Sequence, residues 1–242
     1  MSLEDDIEKA RAILRGARSI AVLTGAGISA ESGVPTFRGA EGLWKHFRPE
    51  ELATPYAFAR DPALVWEWYG WRRLRIKDAR PNPGHYALVT LEQRCEPFLL
   101  ITQNVDDLHK VAGSRRMVRL HGSLWESRCL GCGEVFEDRA AAVEGVPRCA
   151  KCQGMLRPNV VWFGENLDEE ILDQASNAAA TCGAFLVVGT SGVVQPAASL
   201  ALIASRHGAR VIEVNPDETP LSHACDVALR GSSGSLLPRI VS

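Results

Sequence analysis

Four of the seven cysteines in the chain form two Cys-x-x-Cys pairs. The pairs are Cys129/Cys132 and Cys149/Cys152, and sixteen residues separate them. Each pair can wrap one edge of a tetrahedral ion, and this spacing is typical of four-thiolate zinc ribbons. Four thiolates leave no open coordination position, so the pattern predicts one structural zinc with no chemical role. The alternatives are free core cysteines or a redox pair.

A glycine turn follows the first apolar run of the chain, which ends at Thr24. Gly25 and Gly27 would let the backbone approach a pyrophosphate, and a helix beginning there would offer free N–H groups to the anion. The dinucleotide fingerprint Gly-x-Gly-x-x-Gly is incomplete, because Ala30 occupies the position of the third glycine. The turn therefore indicates either a nucleotide site or only a glycine-rich strand-to-helix connection.

Polar side chains follow other apolar runs. Gln103, Asn104 and Asp106 come after Pro97–Thr102, and His121 comes after Met117–Leu120. Since parallel strands end at one edge of a sheet, we expect these residues to meet near the glycine turn. A single histidine is often only structural, but in this company His121 is a candidate general base.

Tyr69 and Arg72 lie three residues apart on a predicted helix and so share one face. A hydroxyl and a guanidinium together could hold a carboxylate. The alternative is a helix that packs its aromatic residues inward and points Arg72 and Arg73 into water.

The elements that position these residues alternate between strands and helices. We predict helices over residues 4–16, 62–77, 87–94, 169–180, 196–206 and 235–241, and strands over residues 21–24, 97–102, 117–120, 184–188, 209–214 and 227–229. Such alternation predicts an α/β fold with a doubly wound, Rossmann-like parallel sheet covered on both faces. Ligands of such sheets bind at the carboxyl ends of the strands.

Composition limits the functional classes. The chain has 242 residues, 46% of them hydrophobic, and a net charge of −2, so no global charge attracts nucleic acid or an anionic membrane. No apolar run approaches the length of about 20 residues that a membrane span requires. The acidic start and the odd cysteine count favour a cytoplasmic protein, and we expect a monomer. Cys95, Cys182 and Cys225 are predicted to be small core residues.

Together these motifs resemble those of the sirtuins, NAD-dependent protein lysine deacylases. The matching segments, which span about residues 18–234, are Gly25–Ser29 with Ser32–Arg38, Thr102–Asp106, His121-Gly122, the two cysteine pairs, Pro158–Glu165, Gly189–Ser191 and Asn215. The resemblance implies an NAD-binding domain made of residues 1–39, 82–120 and 158–242. It also implies a small lobe in which residues 40–81 are the helical part and residues 121–157 are the zinc ribbon.

The resemblance also implies the NAD contacts. Those near the phosphates and the reactive ribose are Gly25, Ala26, Gly27, Ser29, Glu31, Pro35, Thr36, Phe37, Arg38 and Trp44. Gln103, Asn104 and Asp106 resemble the nicotinamide pocket. The adenosine side would comprise Gly189, Thr190, Ser191, Asn215, Pro216, Asp217 and, with a looser match, Ser233.

In the mechanism of that family, the acyl oxygen of the substrate lysine attacks the nicotinamide ribose, nicotinamide leaves, and an alkylimidate forms. His121 would then help to deprotonate the ribose hydroxyl that attacks the imidate carbon, and water would release lysine and O-acyl-ADP-ribose. The acyl-lysine substrate would bind as an extended peptide beside Val161 and Phe163.

Three residues resemble the branch of the family that removes succinyl, malonyl and glutaryl groups. Thr36 occupies a position where many deacetylases have aspartate, Tyr69 and Arg72 match the Tyr-x-x-Arg pair of that branch, and Ala53 matches its widened acyl pocket. A buried acidic acyl group needs a cation, which Arg72 would supply. Acetyl would be removed more weakly.

Other functions remain open at this stage. The chain could act mainly as a deacetylase, or as an ADP-ribosyltransferase on the same fold. An NAD dehydrogenase would share the glycine turn but would have no use for residues 158–165. A zinc-ribbon binding module that keeps NAD as a structural ligand is a non-catalytic alternative.

Overall fold

A six-stranded parallel sheet forms the larger part of the molecule. The computed structural model describes residues 2–36, 47–141 and 145–242. The strands are β1 (Ile20–Thr24), β2 (Phe98–Thr102), β3 (Met117–Arg119), β4 (Gly122–Cys129), β5 (Val135–Glu137), β6 (Leu156–Val160), β7 (Ala184–Val188), β8 (Arg210–Asn215) and β9 (Val227–Arg230). The α-helices are α1 (Leu3–Gly16), α2 (Pro49–Leu52), α3 (Pro55–Arg60), α4 (Pro62–Ile76), α5 (Pro83–Arg94), α6 (Leu108–Ala112), α7 (Glu169–Thr181), α8 (Ser199–Arg206) and α9 (Ser233–Val241).

The parallel sheet has the strand order β3-β2-β1-β7-β8-β9. The chain adds strands on one side of β1 and then returns to add the others on the opposite side. The order therefore reverses at the carboxyl ends of β1 and β7, and ligands of doubly wound sheets bind at such a reversal. The predicted α/β class and Rossmann-like sheet are confirmed.

Both faces of the sheet are covered, which explains why β7 is apolar throughout and β1 is apolar up to Thr24. Val22 of β1 packs on one face with helices α1, α5 and α9, whereas Leu23 packs on the other face with α7 and α8. All five residues of β1 are buried, because alternate side chains enter different cores.

Helix starts follow the capping residues in the sequence. Asp61 caps α4 through a 3.0 Å hydrogen bond from the Leu64 amide, with Pro62 in the first turn. Asn82 caps α5 in the same way, so this helix begins at Pro83 rather than near Ala87 as predicted. The other predicted helix and strand bounds in the sheet domain differ by at most three residues from those observed.

The segment after the glycine turn is a 3₁₀ helix, Ala26–Ser32, and not the expected start of an α-helix. The Gly27 amide donates to the Gly189 carbonyl at 2.8 Å, and the Ile28 amide donates to Gly25, three residues back. Gly33, at φ 79°, ends the helix in the left-handed region. The bond to Gly189 gives a partner to one of the amides that a helix start leaves without an intrahelical acceptor.

A second, smaller layer contains helices α2–α4 and an antiparallel sheet of order β5-β4-β6. Its core contains Trp66, Trp68 and Tyr69 from α4 together with Trp125 and Trp162. The boundaries proposed for the domains remain a prediction. The small sheet includes all of β6, Leu156–Val160, on both sides of the expected boundary at residue 158. No helix among the described residues combines the length and apolarity needed to cross a bilayer.

Arg73 is fully buried in this small core, contrary to the alternative in which it points into water. Its guanidinium donates to the Leu124 carbonyl at 2.7 Å, to the Ala140 carbonyl at 2.9 Å and to the Asp138 carboxylate at 2.8 Å. The charge therefore joins α4 to the antiparallel sheet.

We expect Arg73→Met to destabilise the protein by about 3 kcal/mol, because it leaves the partly buried Asp138 carboxylate and the buried Leu124 carbonyl without their donor. Arg75→Met is the matched control, since Arg75 is exposed on the same helix. Urea unfolding followed by circular dichroism measures both. Equal midpoints for the two variants would contradict the structural role of Arg73.

Candidate active site

The edge where β1 and β7 end is closed by glycine backbone. A Cβ atom on Gly27 would lie 2.7 Å from the Gly189 oxygen, and one on Gly189 would lie 2.3 Å from the Ile28 nitrogen. A Cβ on Gly25 would lie 2.8 Å from the Thr190 Cβ. The glycines thus let two strand-end loops touch at the reversal of the sheet. Ala26, between them, lines the adjoining pocket.

Side chains from β2 reach the same edge. The Gln103 side chain donates to Thr190 Oγ1 at 3.1 Å, bridging the ends of β2 and β7. Asn104 and Asp106 are buried residues that line the pocket beside Ala26. Burial raises the pKa of Asp106, and its hydrogen bond from the Leu108 amide lowers that pKa. The predicted meeting of these polar residues is confirmed.

A buried polar network lies behind this wall, and the sequence analysis missed it. Asn104 Nδ2 donates to Ser29 Oγ at 3.3 Å, and Ser29 Oγ lies 3.4 Å from His85 Nε2. The His85 ring packs 4.9 Å from that of His109, whose Nε2 lies 3.0 Å from Thr24 Oγ1. Burial lowers the pKa of His85 to about 4, and it lowers the pKa of His109 well below its ordinary value. Both rings are therefore neutral at pH 7. Histidines within helices carry no periodic signal that marks such a network.

His121 lies at the same edge of the sheet. Its Nδ1 is 3.1 Å from the Gln103 carbonyl, and Gly122 follows at φ 77°. A Cβ on Gly122 would lie 2.1 Å from the Asn159 oxygen, so glycine is required for β4 to begin against β6. Burial lowers the pKa of His121, and the bond to Gln103 partly opposes this shift.

The residues expected on the adenosine side follow β7, β8 and β9. Asn215 Nδ2 donates to the Asp217 carbonyl at 2.8 Å, and Pro216 is exposed between them. Ser191 is half-buried, and Ser233 is buried in the first turn of α9. Glu31, expected near the phosphates and the reactive ribose, lies instead beside Ser233: its carboxylate accepts from the Gly234 amide at 2.6 Å and from Ser232 Oγ at 2.8 Å, at the start of α9. Phe37, Arg38 and Trp44 lie outside the described residues.

One pocket joins this edge to the small layer, with about 620 Å³ of space that is partly open to solvent. Its walls combine Ala26, Pro35, Thr36, Asn104 and Asp106 with residues of α4. The α4 side contributes Trp68, Trp71, Arg72 and Arg75, and Val105 and Leu124 add apolar surface.

The predicted acyl-pocket residues separate into two groups. Arg72 lines the pocket, and its guanidinium carbon lies 4.9 Å from the centre of the Trp68 ring and 5.5 Å from that of Tyr69. Tyr69 is fully buried behind the wall, where its hydroxyl accepts the Trp162 indole N–H at 2.8 Å. Ala53 is also buried, and its carbonyl accepts from the Phe163 amide at 2.9 Å.

Val161 and Phe163 flank Trp162 in the segment after β6. The Val161 amide donates to the His121 carbonyl at 3.1 Å, which attaches the segment to the strand-end edge. Phe163 is half exposed, whereas Trp162 is buried. The segment therefore presents one face to solvent between the two layers.

The four predicted cysteine ligands converge. All four Sγ atoms lie within 4.8 Å of one another, with Cys129 Sγ 3.4 Å from Cys152 Sγ and Cys132 Sγ 3.8 Å from Cys149 Sγ. A tetrahedral zinc with Zn–S bonds of about 2.3 Å requires sulfur separations of about 3.8 Å, which this cluster fits. Amides of Gly131 and Gly154 donate to the sulfurs and would stabilise thiolates.

The fold and the strand-end edge define a dinucleotide-binding α/β protein with a four-cysteine cluster that is consistent with a structural zinc. The Sir2 family model matches residues 25–196. The NAD-dependent protein deacylase 2 of Pyrobaculum aerophilum is 54% identical over 229 residues, covering 95% of this chain and 92% of that protein. The NAD-dependent protein deacylase of Aquifex aeolicus is 52% identical over 223 residues, covering 92% and 93%.

The solved structures that resemble this chain are also Sir2 proteins. A Sir2 homologue in complex with NAD has a TM-score of 0.92 and 49% identity, covering 97% of this chain and 92% of the other. A Sir2 protein bound to a myristoylated histone peptide has a TM-score of 0.79 and 39% identity, covering 98% and 95%. The chain belongs to the Sir2, or sirtuin, family and is an NAD-dependent protein deacylase. NAD is its co-substrate, and the cysteine cluster is consistent with a structural zinc.

We expect metal analysis to find one zinc per chain and strong chelators to unfold the small layer, because structural zinc contributes about 10 kcal/mol or more to folding. Cys149→Ser should have the same effect, while Cys95→Ser, a cysteine outside the cluster, should keep the metal. Metal content and thermal unfolding measure both variants. Full stability without metal would refute the assignment.

Proposed function

We propose that this deacylase prefers lysines carrying an acidic acyl group, such as succinyl, malonyl or glutaryl, over acetyl-lysine. The products would be free lysine, nicotinamide and the corresponding O-acyl-ADP-ribose. The single observation behind the proposal is the guanidinium of Arg72 in the wall of the pocket next to the strand-end edge.

A cation in this wall favours an acidic acyl chain, because the surrounding surface is largely aromatic and aliphatic. The side chains of Val105 and Leu124 offer no hydrogen bonds to a carboxylate, whereas a guanidinium offers a fork of donors. Burial lowers the pKa of Arg72, and Tyr69 beside it opposes this shift. Arginine stays charged in proteins, so the pocket retains a cation at neutral pH.

Asp106 also influences Arg72. Each of the two groups shifts the pKa of the other toward its charged form. Burial nevertheless raises the pKa of Asp106 overall. An acidic acyl group would therefore meet Arg72 in a site where the neighbouring carboxylate is itself costly to ionise. Thr36, also in the wall, adds no further negative charge.

Residues at the strand-end edge would carry out the reaction common to the family. Bound NAD supplies an electrophilic ribose carbon with nicotinamide as leaving group. Asn104 and Asp106 line the pocket where the carboxamide of nicotinamide would be oriented, and Gln103 joins the ends of β2 and β7. His121, held through Nδ1 at the Gln103 carbonyl, would use Nε2 to accept a proton from the ribose hydroxyl.

The substrate peptide would add beside residues 161–163 as an extended strand. The amides of Val161 and Phe163 already donate to His121 and Ala53, so the peptide would pair with the remaining backbone groups of the segment. Recognition through backbone tolerates many peptide sequences. The expectations of a cytoplasmic monomer that binds neither nucleic acid nor membrane remain predictions. Cysteines without disulfide partners support a reducing compartment.

A fatty acyl group is the competing candidate. The pocket wall is mostly apolar, and one solved relative carries a myristoylated peptide. Removal of acetyl as the main activity, and ADP-ribosyl transfer, are further alternatives. One peptide bearing succinyl, glutaryl, acetyl or myristoyl in turn, incubated with NAD and analysed by mass, ranks them directly.

We expect Arg72→Met to reduce kcat/KM for the succinyl peptide at least about 100-fold, because a buried carboxylate would lose its charged partner. The deacetylation rate should change only a few-fold. Mass-spectrometric rates on both peptides measure the split.

The matched control is Arg60→Met, which removes the same charge from an exposed site on α3. It should leave both rates unchanged. Equal losses of desuccinylation and deacetylation in Arg72→Met would contradict the proposed preference, as would a wild-type enzyme that favours acetyl or myristoyl.

The pH dependence should identify His121 as the base. Burial lowers its pKa from 6.5, so the neutral, proton-accepting imidazole already dominates at neutral pH. We therefore expect kcat/KM to fall only as pH drops below 6.5, with a midpoint under that value. Burial lowers the pKa of His85 to about 4.

His121→Ala is expected to lose turnover by at least about 100-fold while NAD binding, measured by calorimetry, stays within a few-fold. A variant that turns over normally, or a wild-type midpoint above 7, would contradict the assignment.

A further inference from the structure

The peptide-binding segment, residues 161–163, is joined to α4 by a hydrogen bond from the side chain of Trp162. Its indole N–H reaches the Tyr69 hydroxyl at 2.8 Å, and both side chains are buried. The proposed function uses Tyr69 only as a neighbour of Arg72 and gives Trp162 no role.

The ring of Trp162 is fixed on several sides. The Arg157 guanidinium carbon lies 3.5 Å from the ring centre, and Phe58 packs against the ring at 5.2 Å. Arg157 also donates through both terminal nitrogens to Glu165, and Glu165 accepts from the Trp162 amide at 2.8 Å. The direction of the indole N–H is therefore set by the side chains of Arg157, Glu165 and Phe58.

Tyr69 in turn supports Arg72. Its ring lies under the guanidinium, with 5.5 Å between the guanidinium carbon and the ring centre, and Trp68 supports the same group at 4.9 Å. Trp68 and Tyr69 pack edge to face, so a rotation of one ring displaces the other. Burial raises the pKa of Tyr69, and the phenol stays neutral.

We propose that the Trp162–Tyr69 hydrogen bond positions the Arg72 guanidinium relative to the peptide-binding segment, making Trp162 and Tyr69 positioning residues for acyl-group selectivity. This inference rests on the proposed function, because it concerns how Arg72 distinguishes a charged acyl chain. A peptide lying beside Val161 and Phe163 would hold the acyl-lysine on the segment that carries Trp162. The same segment would then position both the Arg72 guanidinium and the acyl carboxylate.

The selectivity is read as the ratio of kcat/KM for a succinyl peptide to that for the same peptide bearing the terminal amide of the succinyl group. The two acyl groups have nearly the same shape and differ in charge. Tyr69→Phe removes the hydroxyl with little change in volume, and Trp162→Phe removes the donor. Each is expected to lower the ratio about 10-fold, since one buried hydrogen bond is lost. The KM for NAD should stay unchanged.

The double variant tests the link itself. Because both substitutions break the same bond, the ratio for Tyr69→Phe/Trp162→Phe should equal that of Tyr69→Phe alone. Trp66→Phe is the matched control: its ring is also fully buried and its indole N–H donates to the Leu156 carbonyl at 2.9 Å, not to Tyr69. It should leave the ratio at the wild-type value.

Three outcomes would overturn the inference: equal losses on both peptides, an additive double variant, or a ratio lowered as much by Trp66→Phe. Arg72→Met, measured in parallel, distinguishes failure of the positioning role from failure of the proposed function. If it collapses the ratio while Tyr69→Phe and Trp162→Phe do not, only the positioning role fails. If Arg72→Met leaves the ratio unchanged, the proposed function and this inference fall together.

Discussion

The contact between two glycine loops is the constraint on which the site depends. Gly27 donates to Gly189 at a point where neither residue could carry a side chain, so the ends of β1 and β7 meet backbone to backbone. That approach fixes Ala26 in the pocket wall, at the start of the 3₁₀ helix that follows β1. The Gln103–Thr190 bond extends the same edge to β2, and His121 is held on Gln103. A cofactor site and a candidate base are thus assembled from strand ends whose spacing the parallel sheet determines.

The small layer is held together by different interactions. Its core is built from large aromatic rings, and its segments are joined by arginine–carboxylate pairs with at least one partner largely buried. Arg73 pairs with Asp138, Arg157 pairs with Glu165, and Asp107 accepts from two arginines. Such pairs contribute little net stability compared with apolar packing, but each accepts only one geometry. Segments far apart in sequence are therefore held in a defined arrangement beside the sheet.

Sequence patterns predicted those parts of the molecule that depend on local chemistry. Apolar runs gave β1, β2 and β7 nearly to the residue, and Asp61-Pro62 gave the start of α4. The cysteine spacing predicted a cluster that the structure brings together. The remaining features depend on tertiary contacts. Nothing near Gly27 in the sequence shows that its amide is taken by Gly189, and the bulge in the β4–β6 pairing hides the alternation expected of strands.

The side chains of α4 illustrate the same limit. Tyr69 and Arg72 share a helix face, as predicted, yet one is wholly enclosed and the other lines the pocket. Arg73, the next residue, is more deeply buried than Arg72, because the Leu124 and Ala140 carbonyls accept hydrogen bonds from its guanidinium. Helical periodicity fixes the face of the helix on which a side chain lies, but the element packed against that face determines how deeply the side chain is buried.

The placement of the tryptophans makes the two layers optically distinct. The sequence contains six, and five of them, Trp66, Trp68, Trp71, Trp125 and Trp162, lie in α4, in β4 or just after β6, while Trp44 falls outside the described residues. None of these five belongs to the six-stranded sheet or to its covering helices. Ultraviolet emission from the five indoles therefore reports on the aromatic layer and not on the dinucleotide-binding sheet. Among the described residues, the intrinsic indole fluorophores lie on one side of the cleft.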